Sequence, residues 1–446
     1  QGAKVHGVPV LGTLDALVDL ARETDARLIV IAIPTADSAQ MQRAVALCDD
    51  TGLPFRSVPR LHDVLQGRAA PGDLKEVAIE DLLGREPVAP DWQTMRGWIG
   101  GRAVLVTGAG GSIGAELCRQ IAMLGASSLT LVEQTELALV TIFEELQRRS
   151  PSLPVHCVLG DCGDRAVIDH ALRISSAQAV LHAAAYKQVP VLEGQIREGI
   201  RNNVLATQTV AEASVANGVE TFLLISTDKA VDPANVLGAS KRLAEMACQA
   251  LVARGRTRIV VVRFGNVLDS AGSVVPAFRE QIRRGGPVTV THPEVSRYFM
   301  TIPEACQLIL QAAAIGSDQA IFTLDMGQPV PIRMLAEQMI RLAGKVPGRD
   351  VQIVYSGLRP GEKIHETLYH PEERNRGTGH PKILQAESRS IDAGTCQRLL
   401  SALRVAVAEY DEPRLHRLLR DAVPEYRPVD GGVVVPLPVI RRNQAT

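Results

Sequence analysis

From Gly101 to Arg263 short apolar runs alternate without a break with helix-length stretches. The runs are Ala103-Val104-Leu105-Val106, Ser128-Leu129-Thr130-Leu131-Val132, Val155-His156-Cys157-Val158-Leu159, Ala179-Val180-Leu181-His182, Phe222-Leu223-Leu224-Ile225 and Ile259-Val260-Val261-Val262-Arg263. Strand, helix, strand in strict alternation is the signature of an α/β domain built on a parallel sheet. In open sheets of this kind ligands sit beyond the strand ends. The segments that leave those ends are therefore the first place to look for function.

The first run leads into Thr107-Gly108-Ala109-Gly110-Gly111-Ser112-Ile113-Gly114, which opens a helix. A glycine loop between strand and helix is the context of a dinucleotide site. Gly108 permits the turn, Gly111 lets backbone amides reach a pyrophosphate, and Gly114 lets helix and strand pack closely. The helix N-terminus then offers free N–H groups to the phosphates. The spacing G-x-x-G-x-x-G is shifted from the common G-x-G-x-x-G, and a tight structural turn is the plain alternative. The fold read from this is a Rossmann-type doubly wound parallel sheet with a smaller substrate-binding lobe. The next strand ends at Glu133. A carboxylate about twenty residues past the loop binds adenosine ribose hydroxyls and repels a 2′-phosphate, which favours NAD over NADP. Asp161 and Cys162, at the following strand end, are expected beside the adenine. The small residues Ala183, Ala184 and Ala185 either let the backbone approach the cofactor or simply pack a helix.

The chain has 446 residues, a formal net charge of −1 and 46% hydrophobic residues. That is enough for one large domain and a smaller one with full cores. Basic residues are scattered, so there is no footprint for nucleic acid. An anionic substrate must be gripped by a few placed cations. Seven isolated cysteines without a C-x-x-C pair fit a reducing compartment, and the histidines show no H-E-x-x-H, so no metal site is expected. No run of about eighteen apolar residues is present.

Residues 1–83 read as a truncated second Rossmann-like α/β domain. A helix is expected near 14–23, a buried strand at Leu28-Ile29-Val30-Ile31-Ala32-Ile33, a helix through 41–51 and a short strand at Pro54-Phe55-Arg56-Ser57-Val58-Pro59. Residues 84–99, with Pro87, Pro90, Trp92 and Trp98, read as a linker. The main domain spans 100–385, with its substrate lobe at about 265–305 and 325–385. Residues 386–446 are expected to form two amphipathic helices and a tail rich in proline and valine over 433–440.

A second constellation follows the fifth apolar run: Ser226-Thr227-Asp228-Lys229-Ala230-Val231-Asp232, then Gly238-Ala239-Ser240-Lys241. An acid, a base and a second lysine beside a dinucleotide suit redox chemistry coupled to proton movement. Alone, Thr-Asp-Lys could be an ordinary strand-end turn.

Further strings extend the pattern: His182-Ala183-Ala184-Ala185-Tyr186-Lys187, Arg263-Phe264-Gly265-Asn266-Val267, Arg297-Tyr298-Phe299-Met300-Thr301 and Leu358-Arg359-Pro360-Gly361-Glu362-Lys363. In this order residues 100–385 closely resemble the extended short-chain dehydrogenases/reductases. Within them they resemble the nucleotide-sugar 4,6-dehydratases of bacterial polysaccharide biosynthesis. The α/β unit ahead of them resembles the long, membrane-anchored branch, which acts on UDP-N-acetylglucosamine. The resemblance implies an NAD-dependent hydro-lyase. Lys229 would be the base at C5, Asp228 the acid for the departing C6 hydroxyl, Thr227 a hydrogen-bond partner of the C4 hydroxyl, and Lys241 the holder of the nicotinamide ribose. Cofactor contacts would come from Gly108, Gly111, Ser112, Ile113, Gly114, Glu133, Asp161, Cys162, Ala183, Ala184, Ala185, Lys187, Asn203 and Lys241. Substrate contacts would come from Lys187, Asn266, Arg297, Arg359 and Glu362. The branch implies a homo-oligomer anchored at the cytoplasmic face of the inner membrane by a segment outside this sequence, and retention at C5. One departure stands out: the superfamily tyrosine four residues before Lys241 is Leu237. Burial beside other cations is expected to lower the Lys229 pKa toward neutrality. A C4 epimerase and a non-catalytic NAD-binding regulator remain alternatives.

Overall fold

The structure is a computed structural model that describes residues 3–33, 36, 38–58, 74, 77, 79–82, 90–251, 256–316, 320–370, 373–387 and 391–428. The tail over 433–440, Pro59, Pro87 and the first part of the expected linker lie outside the described residues. The chain divides into two compact units. One comprises Val88–Ala271, Ser296–Met326 and Gly357–Thr446; the other comprises Gln1–Pro87, Gly272–Val295 and Gly327–Ser356.

The larger unit is organised by a nine-stranded sheet. Its strands are Ala103–Thr107 (β1), Ser128–Glu133 (β2), Val155–Leu159 (β3), Ala179–His182 (β4), Thr221–Ile225 (β5), Arg258–Arg263 (β6), Ala320–Leu324 (β7), Arg374–Gly377 (β8) and Ile383–Glu387 (β9). The spatial order is β8-β9-β7-β6-β5-β4-β1-β2-β3. The seven strands from β7 to β3 are parallel neighbours, and β9 and β8 add an antiparallel edge. Order 3-2-1-4 with a reversal between β1 and β4 is the doubly wound topology, whose crevice opens at that reversal. The apolar runs are continuous because helices cover both faces of the sheet. Val104, Leu105, Leu129, Leu131, Val180, Leu181, Leu223 and Val260 are all fully buried. No helix among the described residues is long and apolar enough to cross a membrane.

Helix α1 (Ser112–Met123) follows β1, and α2 (Val236–Leu251) carries Lys241. Trp92–Ile99 form a helix capped by the Asp91 carboxylate on Thr94 N, with Met95, Trp98 and Ile99 buried. Near the end of the chain, α3 (Ala393–Glu409) and α4 (Glu412–Ala422) share an apolar cluster with α2 that includes Leu400, Leu403, Leu415, Leu419 and Leu243. Leu237 belongs to the same cluster and is 5% exposed.

In the smaller unit Ile29–Ile31 pairs in parallel with Phe55–Ser57, and Val288–Val290 with Ile353–Tyr355. Its helices include Leu17–Glu23, Ser38–Thr51 and Ile332–Leu342. The run at 28–33 is not the buried strand its composition suggests. Ile31 is buried, but Leu28, Val30 and Ile33 are 44%, 41% and 37% exposed. The described strand here has one partner, so little of the apolar run is covered.

Candidate active site

The glycine loop is shaped by backbone crowding. Gly108 adopts φ +63°, and a Cβ there would lie 2.8 Å from the Ala184 backbone. A Cβ on Gly114 would fall 2.0 Å from the Gly108 carbonyl oxygen. Only glycine fits at either place. Gly111 caps α1 without a side-chain hydrogen bond, so the helix N-terminus is left for an anion. Ser112 Oγ accepts from Ala271 N at 3.1 Å, and Ile113 begins the helix behind it. Glu133 stands where the ribose-binding carboxylate was expected and also braces the loop. Its Oε2 accepts from Gly110 N and its Oε1 from Thr135 N, both at 3.0 Å. Asp161 accepts from Gly163 N at 2.7 Å and pairs with Arg201 at 2.9 Å. Cys162 is buried, and desolvation pushes its thiol up to about 12.

Asn203 is fully buried in a π-helical stretch, Ile200–Leu205. Its Oδ1 accepts from Tyr186 N and its Nδ2 donates to Tyr186 O and to Ser240 Oγ. It thereby ties Tyr186, next after the Ala183–Ala185 segment, to the helix of Lys241. Lys187 Nζ donates to Ser270 Oγ at 3.1 Å, and desolvation lowers its pKa.

Thr227 leaves β5, and Asp228–Ala230 make one tight turn. Gly238 at the start of α2 lets that helix press on the turn, since a Cβ there would sit 2.0 Å from the Lys229 carbonyl oxygen. The Thr227 hydroxyl donates to Asp228 Oδ1 at 2.9 Å. Lys229 Nζ reaches Asp228 Oδ1 and Asn266 Oδ1, each at 3.1 Å. Asp228 Oδ2 is buried without a hydrogen-bond partner. Burial raises the Asp228 pKa; Lys229 opposes this and the negative charge of Glu366 adds to it. A raised Asp228 pKa is what an acid needs.

Lys229 behaves otherwise than its burial suggests. Desolvation pulls its pKa down, but Asp228 and Glu366 outweigh that, and the net shift is upward. The expected neutral amine is therefore an ammonium in the ligand-free protein. The second lysine takes the opposite course: Lys241 is 3% exposed, and desolvation lowers its pKa to about 8 against the pull of Glu245.

Glu366 carries no local signal in the sequence. It enters the site because the segment after Lys363 folds back. Its carboxylate lies 3.5 Å from Lys229 Nζ and 3.8 Å from Arg297 Nε, with the side chain 5% exposed. Arg297 is itself held: Nη1 donates to Ser296 O and Ile364 O, and Nη2 to Glu362 at 3.0 Å. Arg359 is exposed on the turn before it, where its N–H donates to Glu362 Oε2 at 3.1 Å. The structure thus brings Thr227, Asp228, Lys229, Asn266, Arg297, Glu362 and Glu366 together. Glu133, Asp161 and Cys162 stand at the ends of β2 and β3 instead.

A buried ionic frame lies behind the turn. Glu245, fully buried one helical turn after Lys241, accepts from Ser226 Oγ at 2.6 Å and from Arg263 at 2.8 and 2.6 Å. Arg263 also binds Glu373 at 3.0 and 2.8 Å, while Arg242 joins Glu245 to Glu425.

The sequence profile of the family described as "Polysaccharide biosynthesis protein" matches residues 104–388. The chain belongs to this family. A profile described as "CoA-binding domain" matches residues 1–59. The probable polysaccharide biosynthesis protein EpsC of Bacillus subtilis is 43% identical over 381 residues, which is 85% of this chain and 64% of the relative. The chain therefore spans somewhat under two thirds of that relative's length. Among solved structures, Pen from Bacillus thuringiensis superposes with TM-score 0.60 at 25% identity, over 68% of this chain and 98% of Pen. DesIV of Streptomyces venezuelae, a dTDP-glucose 4,6-dehydratase solved with NAD and TYD bound, has TM-score 0.53 at 20% identity, over 60% of this chain and 88% of DesIV. The shared fold is the Rossmann-type sheet of the short-chain dehydrogenases/reductases.

Proposed function

We propose that the chain is a UDP-N-acetylglucosamine 4,6-dehydratase, forming a 4-keto-6-deoxy sugar for polysaccharide synthesis. The observation that carries this reading is the contact of Thr227, Asp228 and Lys229 at one buried strand end, with an acid of raised pKa touching an amine. NAD fits the glycine loop: the cradle at Gly108 and Gly114 has no room for a Cβ and the α1 N-terminus is uncapped. Bound there, NAD would supply a hydride acceptor for the sugar C4 and a hydride donor for C6. Lys241 and Glu133 would hold its two riboses.

The remaining steps are proton movements made by the chain. The C4 hydroxyl loses its proton through Thr227 to the Asp228 carboxylate. This route replaces the superfamily tyrosine, since Leu237 is packed in an apolar cluster and cannot ionise. Protonation of Asp228 removes a negative charge 3.1 Å from Lys229 Nζ, and the lysine becomes easier to deprotonate when its amine is needed. Lys229 takes the C5 proton, the C5–C6 double bond forms, and Asp228 returns its proton to the C6 oxygen, which leaves as water. Lys229 then gives a proton back to C5 on the face from which it came, which favours retention. Asn266 orients Lys229 throughout. Arg359 and Arg297 are the cations for the diphosphate.

Incubation with UDP-N-acetylglucosamine and NAD tests this, with a 4-keto-6-deoxy product expected by NMR. A C4 epimer supports an epimerase instead, and no turnover supports a non-catalytic regulator. Asp228→Asn separates the relay from the rest: single-turnover NADH formation at the wild-type rate would rule the relay out.

A further inference from the structure

An ammonium has three N–H donors, and Lys229 faces three acceptor oxygens: Asp228 Oδ1 at 3.1 Å, Asn266 Oδ1 at 3.1 Å and Glu366 Oε1 at 3.5 Å. Two of the three are carboxylates, and the Asp228 and Glu366 side chains are 1% and 5% exposed. Such a site is built for a lysine that rests charged. A base at C5 must nevertheless be neutral when it acts. The proton it sheds needs a nearby acceptor, because solvent reaches little of this side chain. Asp228 is committed to the C4 proton in the relay above, and an amide oxygen such as that of Asn266 is too weak a base. The remaining group is Glu366.

We propose that Glu366 is the proton partner of Lys229, pairing with its ammonium between turnovers and accepting one proton from it as the amine forms. The exchange is balanced within the pair: ammonium and carboxylate become amine and carboxylic acid, and no co-reactant is needed. Glu366 acts through Lys229 and is a positioning residue in that sense. The groups that face it are Lys229, Arg297 and Lys363, which favour its charged form, and Asp228, whose proton affinity it raises. Arg297 at 3.8 Å keeps the carboxylate anchored while Lys229 changes charge. The role at C5 rests on the dehydratase reading; the pairing itself does not.

The test uses the full chain and Glu366→Gln, with two readouts over a pH series. The first is competitive labelling of Lys229 by trace acetic anhydride in the ligand-free protein, followed by peptide mass spectrometry. Removing a charge at this distance is expected to move the reactive limb of Lys229 to lower pH by about one unit or more, a tenfold change in amine fraction at fixed pH. The second is exchange of the C5 hydrogen with deuterated water during turnover of UDP-N-acetylglucosamine, whose rising limb should move in the same direction. Glu366→Asp, for use if the glutamine variant does not fold, should move both limbs less and in the same sense. Unshifted labelling in either variant overturns the proposal, as does a fall in turnover that leaves the exchange limb where it stands in the wild type. A shifted labelling limb, with the wild-type protein itself inert toward the sugar, supports the pairing and removes the dehydratase reading.

Discussion

Replacing Glu245 by glutamine should destabilise the larger unit by about 3–5 kcal/mol, the usual cost of breaking one partner out of a buried ion pair. The structure puts the substitution at the upper end of ordinary effects. Glu245 is fully buried and receives hydrogen bonds from Ser226, from two nitrogens of Arg263 and from Arg242. Glutamine removes the charge and turns an NH2 group toward the arginine donors. Arg263 would keep Glu373 alone, and Arg242 would keep Glu425. The chain's two tryptophans, Trp92 and Trp98, both lie in this unit, so fluorescence in urea reports on it selectively. A loss of this size should move the midpoint by about 1 M or more. The effect also has a definite pH dependence. Burial opposes ionisation of Glu245, but Arg263, Arg242 and Ser226 outweigh it and hold the carboxyl below its usual range. A depressed folded-state pKa contributes stability above the unfolded value, about 4.3, and loses it as pH falls through the folded one. The difference between wild type and variant should be full at pH 7 and shrink in acid below about pH 4. A midpoint shift near zero at neutral pH, or one that persists undiminished in acid, would refute the reasoning.

Lys241→Met should stabilise the ligand-free protein at pH 7 by up to about 3 kcal/mol while weakening NAD binding, because the buried ammonium is disfavoured from 10.5 down to about 8. The sign follows from the depressed pKa of a base: this strain is present below about pH 8 and relieved as pH rises toward 10.5, so urea midpoints of the two proteins should converge in alkali. Gly238→Ala places a methyl 2.0 Å from the Lys229 carbonyl oxygen and should cost about 1–3 kcal/mol together with most of the activity; wild-type kcat with an unchanged midpoint would contradict the packing described. Gly114→Ala meets the Gly108 carbonyl at the same distance, and NAD affinity by calorimetry should fall by an order of magnitude or more.

Much of the architecture was legible because its signals are local. Unbroken apolar runs between helical stretches specify β1 to β6, and the glycine loop marks the turn after β1. The edge pair β8 and β9 was not legible: Arg374–Gly377 is polar and its pairing with Ile383–Glu387 is set by the sheet it meets. The apolar run at 28–33 misled in the opposite direction, since hydrophobicity records what a segment can bury and not whether a neighbour covers it. In the site, Thr227, Asp228, Lys229 and Lys241 announce themselves by type and spacing. Glu366 does not, because the residues around it form no motif and the turn that delivers it is tertiary.

What the chain's order of residues determined on its own is the doubly wound sheet, the glycine loop at a helix N-terminus, and the presence of an acid and a lysine at one strand end with a second lysine on the helix that follows. These depend on periodicity, on glycine's missing side chain and on residue identity, all of which are properties of short stretches. What only the tertiary structure decided is how tightly each of those lysines holds its proton. Two lysines twelve positions apart, Lys229 partly buried and Lys241 almost wholly so, are driven in opposite directions, Lys229 up and Lys241 down to about 8. The difference is the company each keeps: two close carboxylates against one more distant glutamate already claimed by arginines. Charge interactions fall with distance through space, and distance through space is not written in distance along the chain.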